Sequence, residues 1–322
     1  MKNPIHFLYL FIFSVMLLIS CEQTIRIDKN DFQHKPVVWG LLMADSVPRI
    51  FIYQNIALEG WLESKLNNEF IKELSPLLFD GLYTFPLKEA SGTSVEQQNI
   101  WWGGTDTVNL NWYEGIEAIK PDHIYELSFK WEGKEIFART HVPPSAEIIS
   151  TGPVDVVQGS GNSTWTEKGI RMVFQDNANE QNAYRLRITQ AGLSFFWIVD
   201  PITNDFREDS AYSVYHSFSD IILDDPYQGK EMSIDIIPPY YGIREQLLVN
   251  PDGSVSIFNE YTVSLETMDY TTGKFLRSTD EQNSQRYDPL AEPVLLKTNV
   301  ENGQGILGGM SRSAPVTVRV PY

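Results

Sequence analysis

The chain has 322 residues, of which 42% are hydrophobic and 21% are charged, and this composition excludes an intrinsically disordered protein. Its formal net charge of −17 argues against nucleic acid as a partner, because an acidic surface repels a polyanion. The single cysteine excludes an internal disulfide, so the fold depends on its hydrophobic core.

The N-terminal segment has the pattern of a lipoprotein signal peptide. Lys2 supplies a positive charge, and residues 5–19 are almost entirely apolar, a run shorter than the ~20 residues of a membrane-spanning helix. The tetrapeptide LISC at residues 18–21 resembles the bacterial lipobox, and this resemblance implies cleavage before Cys21 and acylation of its thiol. We therefore predict a signal peptide at residues 1–20 and a lipid anchor on Cys21. The alternative is an ordinary signal peptide with a chance cysteine.

The segments that follow are a tether, a hairpin and an insertion. Polar residues 21–34 are predicted to hold the folded part away from the membrane. Two apolar runs at 37–43 and 49–53 flank a turn-rich break, which predicts a β-hairpin. Residues 58–79 have apolar side chains at helical spacing until Pro76 ends the pattern, so we predict a short helical insertion there.

Residues 119–142 give the clearest structural signal in the chain. Apolar residues alternate along YELSFKW, the tripeptide EGK makes a turn, and a second strand returns. The pattern Ile119-x-Pro121-Asp122-x-x-Tyr125 resembles the tyrosine corner of immunoglobulin-like and fibronectin-like sandwiches, in which a tyrosine hydroxyl bonds to the upstream backbone. We therefore predict an immunoglobulin-like β-sandwich domain at residues 35–144, with Pro143-Pro144 as its boundary.

The second half, residues 145–322, is predicted to be an antiparallel β-barrel-like or sandwich domain, because strands and hairpin turns recur without βαβ alternation. Strands are predicted at residues 168–175, 183–189, 193–199, 230–237 and 254–265. The run at 193–199 is expected to pair with the strand before it. Residues 251–253 (PDG) are expected to form a hairpin turn.

The C-terminal part combines a weak helical signal with glycines. Residues 266–286 have a helical pattern that Gly273 weakens. The glycines of GQGILGG are expected to permit close strand packing, because this segment lacks the Lys and Ser/Thr of a phosphate-binding loop. The whole chain is thus predicted to be all-β: an immunoglobulin-like or fibronectin-like sandwich, then a barrel-like or sandwich domain, with one or two short helices.

Three segments in a fixed order point to a family. They are the lipobox cysteine with the stretch leading into PVVWGLLMADSVPRIFI, the stretch YELSFKWEGKEIFARTHVPPSAEI, and the stretch YDPLAEPVLLKTNVENGQGILGG. Together they resemble the DUF4249 family of Bacteroidota cell-envelope lipoproteins, whose domain has no known function. The resemblance implies an envelope protein often encoded beside TonB-dependent outer-membrane receptors. It implies no activity and no catalytic residues, and the predicted helix at 58–79 departs from the family's pattern.

One aromatic cluster is a candidate ligand-binding site. Trp101, Trp102, Trp112 and Tyr113 lie within thirteen residues. If exposed, they would stack on a sugar or seat a protein partner. If buried, they are sandwich core, and we favour burial because tryptophan is mostly buried on average.

The sequence offers little support for catalysis, and we predict no enzyme, cofactor or metal. No G-x-S-x-G motif occurs, and His123, His141 and His216 are expected at surfaces or strand edges. A glycosidase-type pair of Asp224 or Asp225 with a distant Glu is an alternative, because the chain has many carboxylates. Residues 176–180 (DNANE) have oxygen ligands suited to calcium, but a turn capped by Asn and Asp is the commoner explanation.

These features predict a non-catalytic outer-membrane lipoprotein that acts as an accessory binding component. The expected partners are the membrane, through the lipid on Cys21, and a TonB-dependent receptor in uptake or surface assembly; no nucleic acid is expected. The alternatives are an envelope enzyme acting on carbohydrates or peptides, and a structural or adhesive surface protein. The sequence is compatible with a position on the periplasmic face of the outer membrane and with a position on the cell surface.

Overall fold

The structure is a computed structural model of the chain. It describes residues 34–55, 70–98, 105–160, 163–189, 196–199, 206–209, 211–212, 216–217, 221–225, 229–237, 246–249, 254–285 and 296–321. Residues 35–322 form one compact unit. Among the described residues, no helix has the length and apolar character needed to span a membrane.

Almost all regular structure in the described residues is β. The strands are β1 Pro36–Met43, β2 Arg49–Gln54, β3 Leu77–Phe79, β4 Thr84–Pro86, β5 Lys88–Gln98, β6 Thr105–Glu114, β7 His123–Trp131, β8 Lys134–Val142, β9 Glu147–Ser160, β10 Ser163–Gln175, β11 Asn182–Thr189, β12 Phe196–Val199, β13 Phe206–Asp209, β14 Ala211–Tyr212, β15 His216–Ser217, β16 Ile222–Leu223, β17 Glu231–Ile237, β18 Gln246–Val249, β19 Val255–Asp269, β20 Val300–Glu301, β21 Gln304–Arg312 and β22 Val316–Pro321. The helix α1 is Tyr270–Gln285. The predicted all-β class is confirmed.

The strands form one long sheet and smaller sheets. The long sheet has ten strands in the order β16-β11-β19-β21-β1-β2-β6-β5, with β18 and β22 also paired to β19. The first small sheet has the order β20-β8-β7-β3-β4, and the second small sheet has the order β13-β12-β17-β10-β9. Strands β14 and β15 form a separate pair. Most neighbours are antiparallel, but β1 and β21 are parallel, with Val37 opposite Gln304 and Met43 opposite Met310.

Two hydrophobic cores lie on one face of the long sheet, which makes the fold a β-sandwich. The first core joins β1, β2 and β6 of the long sheet to the first small sheet through Val38, Leu42, Ile50, Ile52, Tyr113, Leu78, Tyr125, Leu127, Phe129, Ile136, Ala138 and Val142. The second core joins β11, β19 and β22 to the second small sheet through Tyr184, Leu186, Ile188, Tyr261, Val263, Leu265, Val318, Val320, Ile170, Met172, Phe174, Met232, Ile234 and Ile236. The residues 145–322 therefore contribute a sandwich, not a barrel.

The helix α1 covers part of the opposite face of the long sheet. Phe275 and Leu276 pack there with Ala183, Met268, Ile306 and Met310, which are side chains of β11, β19 and β21. Strand alternation explains the two faces, because Leu307 belongs to the first core while its neighbour Ile306 lies under the helix. The predicted helical stretch at 266–286 is thus divided between the end of β19 and α1, and residue 286 lies outside the described residues.

The two predicted domains, 35–144 and 145–322, share the long sheet. Pro143-Pro144 lies where the chain leaves β8 of the first small sheet and enters β9 of the second. The C-terminal strands then return to the first half, since β21 pairs with β1 and β20 pairs with β8. Residue 144 is therefore not a boundary of the long sheet, because strands from both sides of it belong to that sheet.

The local predictions for the first half are confirmed where the chain forms hairpins. Strands β1 and β2 pair antiparallel, and so do β7 and β8. The β7–β8 turn has two residues with positive φ, Glu132 at 47° and Gly133 at 78°, which matches the twist of a two-residue hairpin. The hydroxyl of buried Tyr125 accepts a hydrogen bond from Lys120 N at 2.8 Å, so the predicted tyrosine-corner contact is present.

Two local predictions are wrong. The predicted helix at 58–79 is absent from its described part, because residues 70–76 contain no helix and Leu77–Phe79 is β3, where Leu78 is buried opposite Leu127 of β7; residues 58–69 of this prediction lie outside the described residues. The described part of the run at 193–199, Phe196–Val199, does not pair with β11 but belongs to the second small sheet. Its strand, β12, pairs with β13 and β17 instead.

Glycines mark two close contacts between layers. A Cβ on Gly309 of β21 would lie 1.9 Å from the carbonyl oxygen of His141 in β8. A Cβ on Gly273 of α1 would lie 2.1 Å from the Cβ of Ala183. The predicted role of the C-terminal glycines in close packing is confirmed, and Gly273, which weakens the helical pattern in sequence, is where α1 meets the sheet.

Candidate binding surface

Three arginines gather around one buried glutamate on the helix-bearing face of the long sheet. Arg185 of β11 lies directly opposite Glu266 of β19, and Glu266 lies opposite Arg312 of β21. Arg187 is two residues further along β11 on the same face, because strand side chains alternate. We call Arg185, Arg187, Glu266 and Arg312 the arginine cluster.

The contacts within the arginine cluster are short and directional. Glu266 accepts hydrogen bonds from Arg185 Nε at 2.6 Å and from Arg312 Nη2 at 2.6 Å and Nε at 3.1 Å. Arg187 Nη1 is 3.6 Å from Glu266 Oε1. Burial alone would raise the pKa of Glu266, but the charges of Arg185 and Arg312 outweigh it and hold that pKa below its ordinary value. Glu266 is therefore a carboxylate at neutral pH.

The strand sequences explain why these side chains converge. In the stretch YRLRI of β11, Tyr184, Leu186 and Ile188 enter the second core, so the two arginines between them face the other way. The same alternation on β19 sends Leu265 into the core and Glu266 to the opposite face. The antiparallel register of β11, β19 and β21 then places these charged side chains in one row across the sheet.

The arginine side chains of the cluster are partly exposed, although the glutamate between them is buried. Glu266 is almost completely buried, whereas the side chains of Arg185, Arg187 and Arg312 are 22%, 29% and 37% exposed. The cluster places three guanidinium groups around one carboxylate on a chain whose net charge is −17. A guanidinium has five N–H donors, and Glu266 engages one of Arg185 and two of Arg312.

The predicted aromatic cluster is divided by the fold. Tyr113 is fully buried in the first core, where its hydroxyl donates to Ile71 O at 2.8 Å and accepts from Leu74 N at 3.1 Å. Burial raises the pKa of Tyr113 to about 12, against a smaller lowering by the Leu74 N–H. Tyr113 is therefore a core residue.

Trp112 lies on the other face of β6 and is half-buried. The Arg49 guanidinium lies 5.1 Å from its ring centroid, and the Phe51 ring lies 6.2 Å away. Arg49 and Phe51 therefore cover part of the Trp112 ring. Trp101 and Trp102 lie outside the described residues, as does Cys21, so the rest of the predicted aromatic cluster and the lipid anchor stay predictions.

His123 contacts a main-chain carbonyl oxygen, and His141 contacts two carboxylates. His123 Nδ1 lies 2.9 Å from Pro121 O. His141 lies between two carboxylates, with Nδ1 2.9 Å from Glu180 Oε2 and Nε2 3.5 Å from Asp122 Oδ1. The side chain of His216 lies outside the described residues.

The structure brings together two aspartates that the sequence analysis treats separately. Asp176 and Asp224 are both buried beside the first residues of β11, Asp224 through a hydrogen bond from Asn182 N. Burial raises the pKa of Asp224 against the lowering effect of that N–H, and the charge of Asp176 raises it further. Asp225 is exposed, and it accepts a hydrogen bond from the Tyr270 hydroxyl. Within the described residues, no group of three or more His, Cys, Asp and Glu side chains is placed to hold a metal.

The sequence analysis missed the arginine cluster. Its only local signal is the spacing Arg185-x-Arg187 within an apolar strand, together with a single glutamate in the apolar stretch VSLETM. The register that aligns β11, β19 and β21 joins residues up to 127 positions apart, from 185 to 312.

Comparison of the chain with protein-family models, with curated proteins and with solved structures finds no match.

Proposed function

We propose that the chain is a non-catalytic outer-membrane lipoprotein that binds a protein partner through the arginine cluster. The partner we propose is a TonB-dependent receptor with an acidic docking segment, in a system for uptake or surface assembly. The observation that carries the proposal is a group of three partly exposed arginines in a strongly acidic chain. A cationic patch of this kind steers an acidic partner and excludes other contacts by repulsion.

The anchoring part of the proposal rests on the N-terminal sequence. A charged residue, an apolar run and the LISC tetrapeptide precede a body with a large negative charge. Such a body has no attraction of its own to anionic headgroups, so membrane attachment is assigned to acyl chains on Cys21. Two or more acyl chains give stable attachment.

The docking part rests on the chemistry of arginine. A guanidinium presents a planar fork of donors that fits a carboxylate, and it is more weakly hydrated than the ammonium of lysine. Glu266 shows within the protein itself that this row of strands holds a carboxylate between two arginines. Carboxylates of a partner would contact the exposed edges of the same three guanidinium groups.

Charge reversal at one arginine tests the docking surface. We expect the Arg187→Glu variant, extracted from membranes in detergent, to lose about tenfold or more of the co-purified receptor, which corresponds to about 1.4 kcal/mol. The matched control is Arg139→Glu, because Arg139 also lies on a strand with its Nε 3.6 Å from a glutamate, Glu126. Equal receptor recovery with both variants would overturn the assigned surface.

A separate experiment tests the anchor. The Cys21→Ser variant should appear in the soluble fraction, and labelled palmitate should enter the wild-type chain only. If Cys21→Ser sediments with membranes as the wild type does, the lipid anchor is wrong, whatever the receptor pull-down shows.

A further inference from the structure

Four carboxyl groups are buried in the described part of the chain: Asp80, Asp176, Asp224 and Glu266. Two of them have cationic partners. Glu266 is held by the arginines described above, and Asp80 has Lys120 Nζ at 3.6 Å together with two N–H donors from Leu82 and Tyr83. Such compensation is the rule, because an isolated buried carboxylate is strongly disfavoured.

Asp176 and Asp224 lack this compensation. Asp176 is 2% exposed and accepts hydrogen bonds from the Tyr184 hydroxyl and from Gly229 N, the latter at 2.5 Å. Asp224 is fully buried, and its Oδ2 accepts from Asn182 N at 2.5 Å. In the described part of the chain, no Lys, Arg or His forms an ion pair with either carboxyl. We call Asp176 and Asp224 the aspartate pair.

A second observation at the same place is independent of the carboxylates. Asn182 is 1% exposed, and neither its Oδ1 nor its Nδ2 has a hydrogen-bond partner in the described structure; the Oδ1 of Asp224 is unpartnered as well. Asn182 also bonds to Asp224 through the main chain, since Asp224 N donates to Asn182 O at 3.2 Å. Buried polar atoms of this kind normally have a hydrogen-bond partner, an ordered water or a bound ion.

The side chains of Asn182 and Asp176 are directed to a common region. Asn182 and Tyr184 are two residues apart on β11, so their side chains leave the strand on the same face. Tyr184 packs on Phe174, with ring centroids 4.8 Å apart, and its hydroxyl reaches Asp176. Asn182 is therefore directed to the end of the second core at which Asp176 lies.

We propose that the aspartate pair and Asn182 bind one calcium ion. The unpartnered Oδ1 atoms of Asp224 and Asn182 would be ligands, with Asp176 as the second carboxylate. Calcium prefers carboxylate and amide oxygens and accepts irregular geometry, and a divalent cation supplies the positive charge that this buried site lacks. Because only two carboxylates contribute, other oxygens would complete the ligand set.

Calcium at this position would stabilise a junction between the layers. Residues 176–181 carry the chain from β10 of the second small sheet to β11 of the long sheet. Glu180 in this connection contacts His141 of the first small sheet, with the two side chains 2.9 Å apart. The bound ion would therefore fix a segment that touches all three sheets.

The test measures calcium binding and thermal stability on the full chain in detergent. The protein is stripped with EDTA, dialysed and titrated with calcium chloride. We expect one calcium per chain by equilibrium dialysis and a rise in melting temperature of about 5 °C or more at saturating calcium, reversed by EDTA. A wild-type chain that binds no calcium in dialysis, or whose melting temperature does not change, would overturn the site.

Two variants locate the ion. Asp224→Asn removes one uncompensated charge, so without calcium it should melt at or above the temperature of the stripped wild type, and calcium should leave it unchanged. Asp155→Asn is the matched control, because Asp155 is exposed and paired with Lys168 at 2.5 Å; it should keep the full calcium shift. An equal shift in Asp224→Asn and wild type would place the ion elsewhere and refute the proposal.

Discussion

Replacing Glu266 by glutamine tests the energetics of the arginine cluster. The substitution keeps the size of the side chain but removes the charge that holds Arg185 and Arg312 by three hydrogen bonds of 2.6–3.1 Å. Removing one partner of a buried ion pair costs about 3–5 kcal/mol. Because the arginine side chains are 22–37% exposed, water solvates them in part, and we expect a loss of about 2–4 kcal/mol in the free energy of unfolding.

The assay is urea unfolding of the detergent-extracted protein at pH 7, followed by circular dichroism. The matched control is Glu260→Gln on the same strand, because Glu260 forms an exposed pair with Arg319 at 3.0 Å. An exposed pair contributes about 0–1 kcal/mol, so the control should unfold almost as the wild type does. Equal, small losses in both variants would refute the reasoning that burial makes Glu266 the stronger pair.

The wild type and the Glu266→Gln variant also provide a pH test, because the direction in which their stability difference changes with pH is defined. The pKa of Glu266 is lowered in the folded state from its ordinary value of 4.5. The stabilisation by its charge is therefore fully present above about pH 4.5 and is lost as pH falls through the lowered pKa. The stability difference between wild type and Glu266→Gln should shrink between pH 5 and pH 2.5. A difference that stays constant over this range would contradict the assigned carboxylate.

Two further predictions concern contacts with the first small sheet. Gly309→Ala would place a methyl group 1.9 Å from the His141 carbonyl oxygen, so we expect a loss of about 3 kcal/mol or more in urea unfolding. Gly152→Ala, where nothing lies within 4 Å, should change stability by less than about 0.5 kcal/mol; similar losses in the two variants would contradict the close approach. Tyr125→Phe leaves Lys120 N without its acceptor and should cost about 1–3 kcal/mol, which hydrogen exchange at the Lys120 amide would report as faster exchange.

The parts of the fold that depend on neighbouring residues could be predicted from the sequence. The β7–β8 hairpin is encoded by strict alternation and by a turn whose second residue is Gly133. The tyrosine corner is encoded over the seven residues from Ile119 to Tyr125. In both cases the contacts are formed within a short stretch, so spacing alone determines them.

The parts that depend on distant pairing could not be predicted. The apolar run PLLF fits a helix or a strand equally well, and pairing with β7 decides for β3. The run at 193–199 has strand propensity, but only the pairing of Phe196–Val199 with the distant strand β17 assigns it to the second small sheet. The parallel pairing of β1 with β21 joins the two ends of the folded part, and no local pattern encodes it.

The arginine cluster was missed for the same reason. Its members have ordinary positions in three strands, and only the register between those strands brings Arg185, Glu266 and Arg312 into one row. The aromatic cluster shows the opposite case, in which residues that are close in sequence do not form one site. Trp112 and Tyr113 are adjacent in sequence but lie on opposite faces of β6, so proximity along the chain gave no common site.

Site-specific photo-cross-linking in intact cells tests the central claim most directly. A cross-linking residue is placed at Thr317, an exposed position of β22 on the same face as the arginine cluster, and at the exposed Lys130 of β7 as the control. The account predicts an adduct between position 317 and a large outer-membrane β-barrel receptor, absent at position 130 and lost when Arg187→Glu is added. No adduct at position 317, or equal adducts from both positions, would contradict docking through the arginine cluster.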